Sequence, residues 1–113
     1  MNYKEKRPWG TFENLLDVDY CKVKEIVIKP GQAPSYQFHY KRNEVWVVTQ
    51  GKGLVTLDEK DDEVSAGSVV KVPVGIKHRI RNIGDNDLIF IEVQTGEYFG
   101  EDDIVRLKDD YNR

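Results

Sequence analysis

Turn signals break this chain so often that no long helix has room to form. "KPGQAP", "TQGKG", "DEKDDE", "SAG", "PVGIK", "IGDND" and "TGEYFG" punctuate it, and the runs between them are short and rich in Val, Ile, Tyr and Phe. The runs "YCKVKEIVI", "SYQFHY", "EVWVV", "GLVTL", "SVVKV", "HRIRN" and "LIFIEVQ" have the length and β-branched content of strands. No stretch sustains a helical period over three turns. Many short strands with Gly and Pro turns predict an all-β sandwich or barrel. "DEKDDE" at 58–63 reads as a solvated hairpin tip without a function of its own.

With 113 residues the chain fits a single domain, residues 1–113, built on one core. Its 17 basic and 20 acidic residues nearly cancel, for a formal net charge of -3. That balance offers no electrostatic footprint for nucleic acid or an anionic membrane. Uncharged stretches such as "VWVVTQG" fall far short of a bilayer span, and the N-terminal "MNYKEKRPWG" is polar. A soluble, unexported, cytoplasmic chain is expected. The single Cys21 has no partner for a disulfide or a paired zinc ligand, which suits a reducing compartment, and its simplest reading is a small half-buried strand residue.

Strand alternation then sorts the polar residues. Period two puts Gln37, His39 and Lys41 on one face, with Tyr36, Phe38 and Tyr40 on the other. After the break at "RN", Glu44, Trp46 and Val48 share a face, so Glu44 can project beside His39 if that face points inward. In "GIKHRIRN", Ile76, His78, Ile80 and Asn82 lie opposite Lys77, Arg79 and Arg81. His78 is therefore on an apolar side, where an imidazole needs a partner. One such histidine is ordinarily a satisfied core residue. Two of them with an inward glutamate suit a divalent first-row metal such as zinc, iron or manganese, held from several strands. Spacing alone leaves both readings open.

"GSVVKVPVGIKHRIRN", with Gly67, Pro73, Gly75, His78 and Asn82, resembles the second motif of the cupin superfamily, and "QFHYKRNEVWVVTQG", with His39, Glu44 and Gly51, resembles the first. "RPWGTFE", "QFHYKRNEVWVV" and "FIEVQTGEYFGEDDIVRLKDDYNR" narrow the resemblance to the type II phosphomannose isomerase domain, from about Arg7 to Arg113. The resemblance implies a small jelly-roll, or double-stranded β-helix, barrel. It implies a divalent metal, zinc first and manganese, iron or nickel as alternatives, on His39, Glu44 and His78, with Gln37 as a possible fourth ligand. It further implies interconversion of mannose 6-phosphate and fructose 6-phosphate, and a homodimer whose contact uses the N-terminal strands. In that family the cupin is commonly fused behind a mannose-1-phosphate guanylyltransferase. These 113 residues show no Gly-rich phosphate loop and leave no room for that fold, so nucleotidyl transfer is not expected of them.

Two positions depart from the family pattern: Lys41 stands where a histidine follows the first ligand, and Val45 where a histidine often precedes the tryptophan. A protonated lysine has no lone pair to donate and is repelled by a dication, so Lys41 weakens the site or has another task. Aldose–ketose interconversion needs a group that moves a proton between C1 and C2, and Lys41 is a candidate for that step or for contact with the phosphate. Arg106 in "DDIVR" is the expected phosphate anchor, since a guanidinium grips phosphate through parallel hydrogen bonds. Its plainer reading is a surface arginine paired with Asp102 or Asp103.

Arg42 is a weaker anchor, on the opposite parity from His39. Trp9 and Trp46 read as core or dimer-contact aromatics. Glu92 and Gln94 either line a pocket or cap an edge, and Glu101, Asp102 and Asp103 either order the C-terminal segment or stay solvated. Two other readings compete: a metal-free sugar-binding or regulatory cupin, favoured by Lys41 and Val45, and another cupin enzyme, a sugar epimerase or an oxygenase.

Overall fold

A computed structural model describes residues 3–111. The chain runs through β1 (Lys4–Arg7), β2 (Gly10–Val18), β3 (Cys21–Ile28), β4 (Tyr36–His39), β5 (Arg42–Gln50), β6 (Lys52–Leu57), β7 (Lys60–Ser65), β8 (Val69–Val72), β9 (His78–Asn82) and β10 (Leu88–Gly96). A 3-10 turn at Glu101–Asp103 leads into β11 (Ile104–Lys108). The strands form two antiparallel sheets that face one another, the expected jelly-roll barrel. One is ordered β1-β2-β3-β10-β5-β8 and the other β11-β4-β9-β6-β7. No helix of the described residues is long and apolar enough to cross a membrane.

Alternation explains how the barrel closes. In β10, Leu88, Phe90, Glu92 and Gln94 are buried while their neighbours are less so, and in β3 the inward residues are Lys24, Ile26 and Ile28. Leu88 and Ile28 are opposite each other across the β3–β10 ladder and both are wholly buried. Burying an aliphatic side chain of that size stabilises the fold by about 1.5–3 kcal/mol. Phe12, Trp46, Val48, Val55, Ile80 and Phe90 join them in the hydrophobic core. Asn82 ties the layers together, because its amide donates to the Ile28 and Asn86 carbonyls at 2.8 Å and accepts from Gly84 N–H at 2.9 Å.

Every run read as a strand is one, and β1, β2, β7 and β11 are additions. The charge run at 58–63 is only partly a tip. Asp58 and Glu59 make the turn, with φ of 45° and 71°, while Lys60 onward pairs with β6 as β7. Gly10 answers a packing demand: at φ 156° a Cβ there would lie 1.9 Å from the Val27 carbonyl oxygen of β3. That close approach seats the neighbouring Trp9, 7% exposed, against the barrel opening.

Candidate metal centre

Three strands bring the polar core residues to one end of the barrel. His39 ends β4 and His78 opens β9, both in one sheet, and Glu44 comes from β5 in the other. All three side chains are buried, and a ligand atom from each lies within 4.8 Å of the others. Glu44 Oε2 is 3.1 Å from His39 Nε2, and Glu44 Oε1 is 4.0 Å from His78 Nε2. The two imidazole centroids are 4.9 Å apart. Trp46 Nε1–H donates to Glu44 Oε1 at 2.9 Å and fixes the carboxylate from below.

Each histidine is oriented through its other nitrogen. Nδ1–H of His78 donates to the Ile76 carbonyl at 2.9 Å, and Nδ1–H of His39 donates to the Asp103 carbonyl at 3.2 Å. A neutral imidazole held in that way turns the Nε2 lone pair toward the centre, the arrangement of metal-ligating histidines. His39 Nε2 and Glu44 Oε2 are then two acceptors that repel unless a proton or cation serves both. Arg42 serves both here: Nε–H donates to Glu44 Oε2 at 3.0 Å and Nη2–H to His39 Nε2 at 3.3 Å. Two neutral imidazoles and a carboxylate fit zinc, manganese, iron or nickel, and an ion that took the His39 lone pair would displace Arg42 Nη2.

Electrostatics support that reading. Desolvation pushes the Glu44 carboxyl up, but the polar groups gathered around it, His39, Glu92, His78 and the Arg42 guanidinium, outweigh it and hold it well below the usual carboxylate range. Burial first, and then the Glu44 charge, holds Glu92 well above that range, which favours its protonated form. His78 is pushed below the ordinary histidine value by burial, against the pull of Glu44. The imidazole is thereby kept neutral and able to ligate.

The centre floors a pocket of about 690 Å³, counting the space that opens to solvent. Gln37 lines it, and its amide N–H donates to Ser35 Oγ at 3.0 Å. Trp9, Phe12, Trp46 and Phe90 supply apolar wall, and Arg7, Lys24, Arg79 and Arg106 supply positive charge. Arg79 is held by the Pro34 carbonyl and Asp110, each at 2.8 Å, and Arg7 pairs with Glu5. Arg106 is exposed at the rim, opposite Gln37 in the β4–β11 register, with no ion pair among the described residues. Asp102 and Asp103 are otherwise engaged: the first accepts from the Tyr98 hydroxyl, and the second from Tyr40 and Lys41 N–H.

Lys41 does not join the centre. β4 ends at His39, so the alternation that would have carried Lys41 inward stops there. Its side chain is exposed, with Nζ 5.3 Å from the Tyr98 ring centroid. It therefore neither replaces a ligand nor repels one at close range, and its place as a pocket residue is corrected. The cation at the centre is Arg42, which opens β5 on the same inward face as Glu44 and Trp46. Lys24, 3% exposed and 4.4 Å from the Phe12 centroid, also lines the pocket and carried no signal beyond its inward parity with Ile26 and Ile28. Gln94 is buried beyond the lining, whereas Glu92 belongs to it. Both tryptophans are core residues that also face the pocket.

The family model for the mannose-6-phosphate isomerase C-terminal domain matches residues 1–109. Among curated proteins, mannose-1-phosphate guanylyltransferase 2 of Escherichia coli O157:H7 is 41% identical over 105 residues, 93% of this chain and 22% of that protein. The alginate biosynthesis protein AlgA of Pseudomonas aeruginosa is 41% identical over 107 residues, 95% of this chain and 22% of its own length. The chain thus spans less than a quarter of these relatives. Among solved structures, the capsular polysaccharide assembling protein CapF of Staphylococcus aureus superposes with a TM-score of 0.80 at 27% identity, covering 96% of this chain and 34% of that one.

Proposed function

The chain belongs to the mannose-6-phosphate isomerase C-terminal family, and on that premise we propose that it is a metal-dependent cupin that interconverts mannose 6-phosphate and fructose 6-phosphate. The observation that carries this reading is the convergence of His39, Glu44 and His78 in the floor of a pocket also lined by the exposed Arg106. His39, Glu44 and His78 would hold the ion, with Gln37 as the fourth protein donor. When bound, it supplies Lewis-acid polarisation of the sugar carbonyl.

The chain's own residues account for the remaining tasks. Arg106 anchors the phosphate at the rim and leaves the sugar to extend inward. Trp9, Phe12 and Phe90 exclude water along the sugar, which strengthens every polar contact made there. Outside the ligand set, the titratable residues lining the pocket are Lys24 and Glu92, so the proton that moves between C1 and C2 falls to one of them. A metal-free sugar-binding role is the second reading, and Arg42 on the His39 lone pair is the observation that favours it.

The test is elemental analysis of the purified protein, before and after incubation with zinc, manganese, iron or nickel, followed by an assay with mannose 6-phosphate. About one equivalent of metal, lost in His78→Ala while the circular dichroism spectrum is retained, together with fructose 6-phosphate formation, supports the isomerase. No metal under any condition supports the binding module. Metal without turnover would point to another cupin chemistry.

A further inference from the structure

The ligand-bearing strands β4 and β5 lie in different sheets and are joined only by the turn at Tyr40–Lys41. The position of that turn therefore sets how His39 meets Glu44. It is held from outside by the C-terminal segment. Asp103, 8% exposed, accepts Tyr40 N–H at Oδ1, 3.1 Å away, and Lys41 N–H at Oδ2, 2.9 Å away. Its main-chain carbonyl is the acceptor for His39 Nδ1–H. The next residue, Ile104, pairs with His39 in the β4–β11 ladder. A single aspartate thus grips the ligand's ring with its backbone and the two following amides with its carboxylate.

The surroundings are built to present that residue. The 3-10 turn places Asp103 N–H on the Gly100 carbonyl at 3.2 Å. From the other side, Glu97 N–H donates to the Lys41 carbonyl at 3.0 Å, and Gly96 packs so close that a Cβ would lie 2.4 Å from that same oxygen. A carboxylate that accepts two successive amides forms charge-assisted bonds, stronger than the neutral bonds of an ordinary turn. Asp102, its neighbour in sequence, accepts instead from the Tyr98 hydroxyl.

We propose that Asp103 is a positioning residue of the metal centre: its grip on the 39–41 segment keeps the proton of His39 on Nδ1 and turns Nε2 toward Glu44 and His78. The proposal rests on the metal reading above, but the orientation of His39 can be observed without any metal. It also gives the acidic stretch of "GEDDIVR" a task that charge alone did not reveal.

The experiment compares the full chain with Asp103→Ala, Asp103→Asn and Asp102→Asn. Nitrogen chemical shifts of the metal-free proteins report the His39 tautomer, and calorimetric titration with zinc reports the Kd. Loss of an orienting partner typically weakens metal binding roughly 10–100-fold. That loss is expected in Asp103→Ala, with a His39 ring that populates both tautomers. Asp103→Asn keeps one acceptor oxygen and the shape of the side chain, and should recover part of both signals. Asp102→Asn should match the parent in both. An unchanged tautomer in Asp103→Ala would overturn the proposal, as would an equal loss of zinc in Asp102→Asn. Failure of the parent to bind zinc, manganese, iron or nickel would remove the isomerase reading, and the tautomer measurement would still decide the role of Asp103.

Discussion

Glu44 and Glu92 are diagonal neighbours on the inward face of the β5–β10 ladder, both buried, and their acidities are pushed apart, Glu44 well below the usual carboxylate range and Glu92 well above it. Two buried negative charges at that separation would repel each other, so the proton is part of the fold. Replacing Glu92 with Gln keeps a donor of the same shape without the ionisable group. Glu92→Gln should fold with a Tm close to the parent at neutral pH, whereas Glu92→Ala, which leaves a void beside Glu44, should fall clearly below it. A Glu92→Gln protein as unstable as Glu92→Ala would mean that Glu92 is ionised in the native state.

The histidine buried beside them predicts an acid response. The pKa of His78 lies below the ordinary value of 6.5, so between the two values the unfolded chain binds more protons than the folded one. Stability therefore rises with pH across that window. The contribution is present above about 6.5 and is lost as pH falls through the folded value. Tm measured on the metal-free protein from about pH 7.5 down to pH 5 should decline, and His78→Gln should flatten the decline. Equal slopes in the two proteins would assign the acid sensitivity to other groups.

Lys41 should be nearly silent. Its ammonium lies over Tyr98 in solvent, and exposed substitutions away from special features change stability by roughly 0.5 kcal/mol or less. Lys41→Ala is expected to leave zinc affinity and kcat within about twofold of the parent, an energy difference below roughly 0.5 kcal/mol. A loss of kcat by orders of magnitude would bring Lys41 back as a proton-transfer group and would require the 40–41 turn to rearrange around substrate.

Arg106 should behave in the opposite way, silent in folding and loud in binding. Hydrogen bonds to a charged group contribute about 1.5–3 kcal/mol, so Arg106→Ala should raise the KM for a sugar phosphate roughly tenfold or more with Tm unchanged. Competition by inorganic phosphate should weaken in parallel. An unchanged KM would remove Arg106 from the phosphate site and leave Arg7 and Lys24 to carry it.

The inner strands of both sheets were readable because their alternation is intact, from "CKVKEIVI" to "LIFIEVQ". The remaining strands lack it for physical reasons. β1, β7 and β11 are sheet edges, and "KEKR" and "KDDEVS" carry the charges that keep an edge from pairing with another chain. β2 is interrupted by a bulge between Asn14 and Leu16, which leaves Leu15 and Leu16 both exposed. At the site, His39, Glu44 and His78 followed from parity and motif together. Parity counted from His39 puts Arg42 on the outward face, but the strand breaks between them. Counted back from Trp46 and Glu44 it falls on the inward face. The hold of Asp103 on His39 spans 64 positions in sequence and had no local signature at all.

The division of ligands between the two sheets has a mechanical side. His39 and His78 belong to one wall and Glu44 to the other, so an ion bound by all three would rivet the walls together across the open end. Prying them apart would then require breaking coordinate bonds as well as separating apolar surfaces. Loaded protein should resist proteases and slow the exchange of β4 and β5 amides far more than those of the β6–β7 hairpin, which lies outside the rivet.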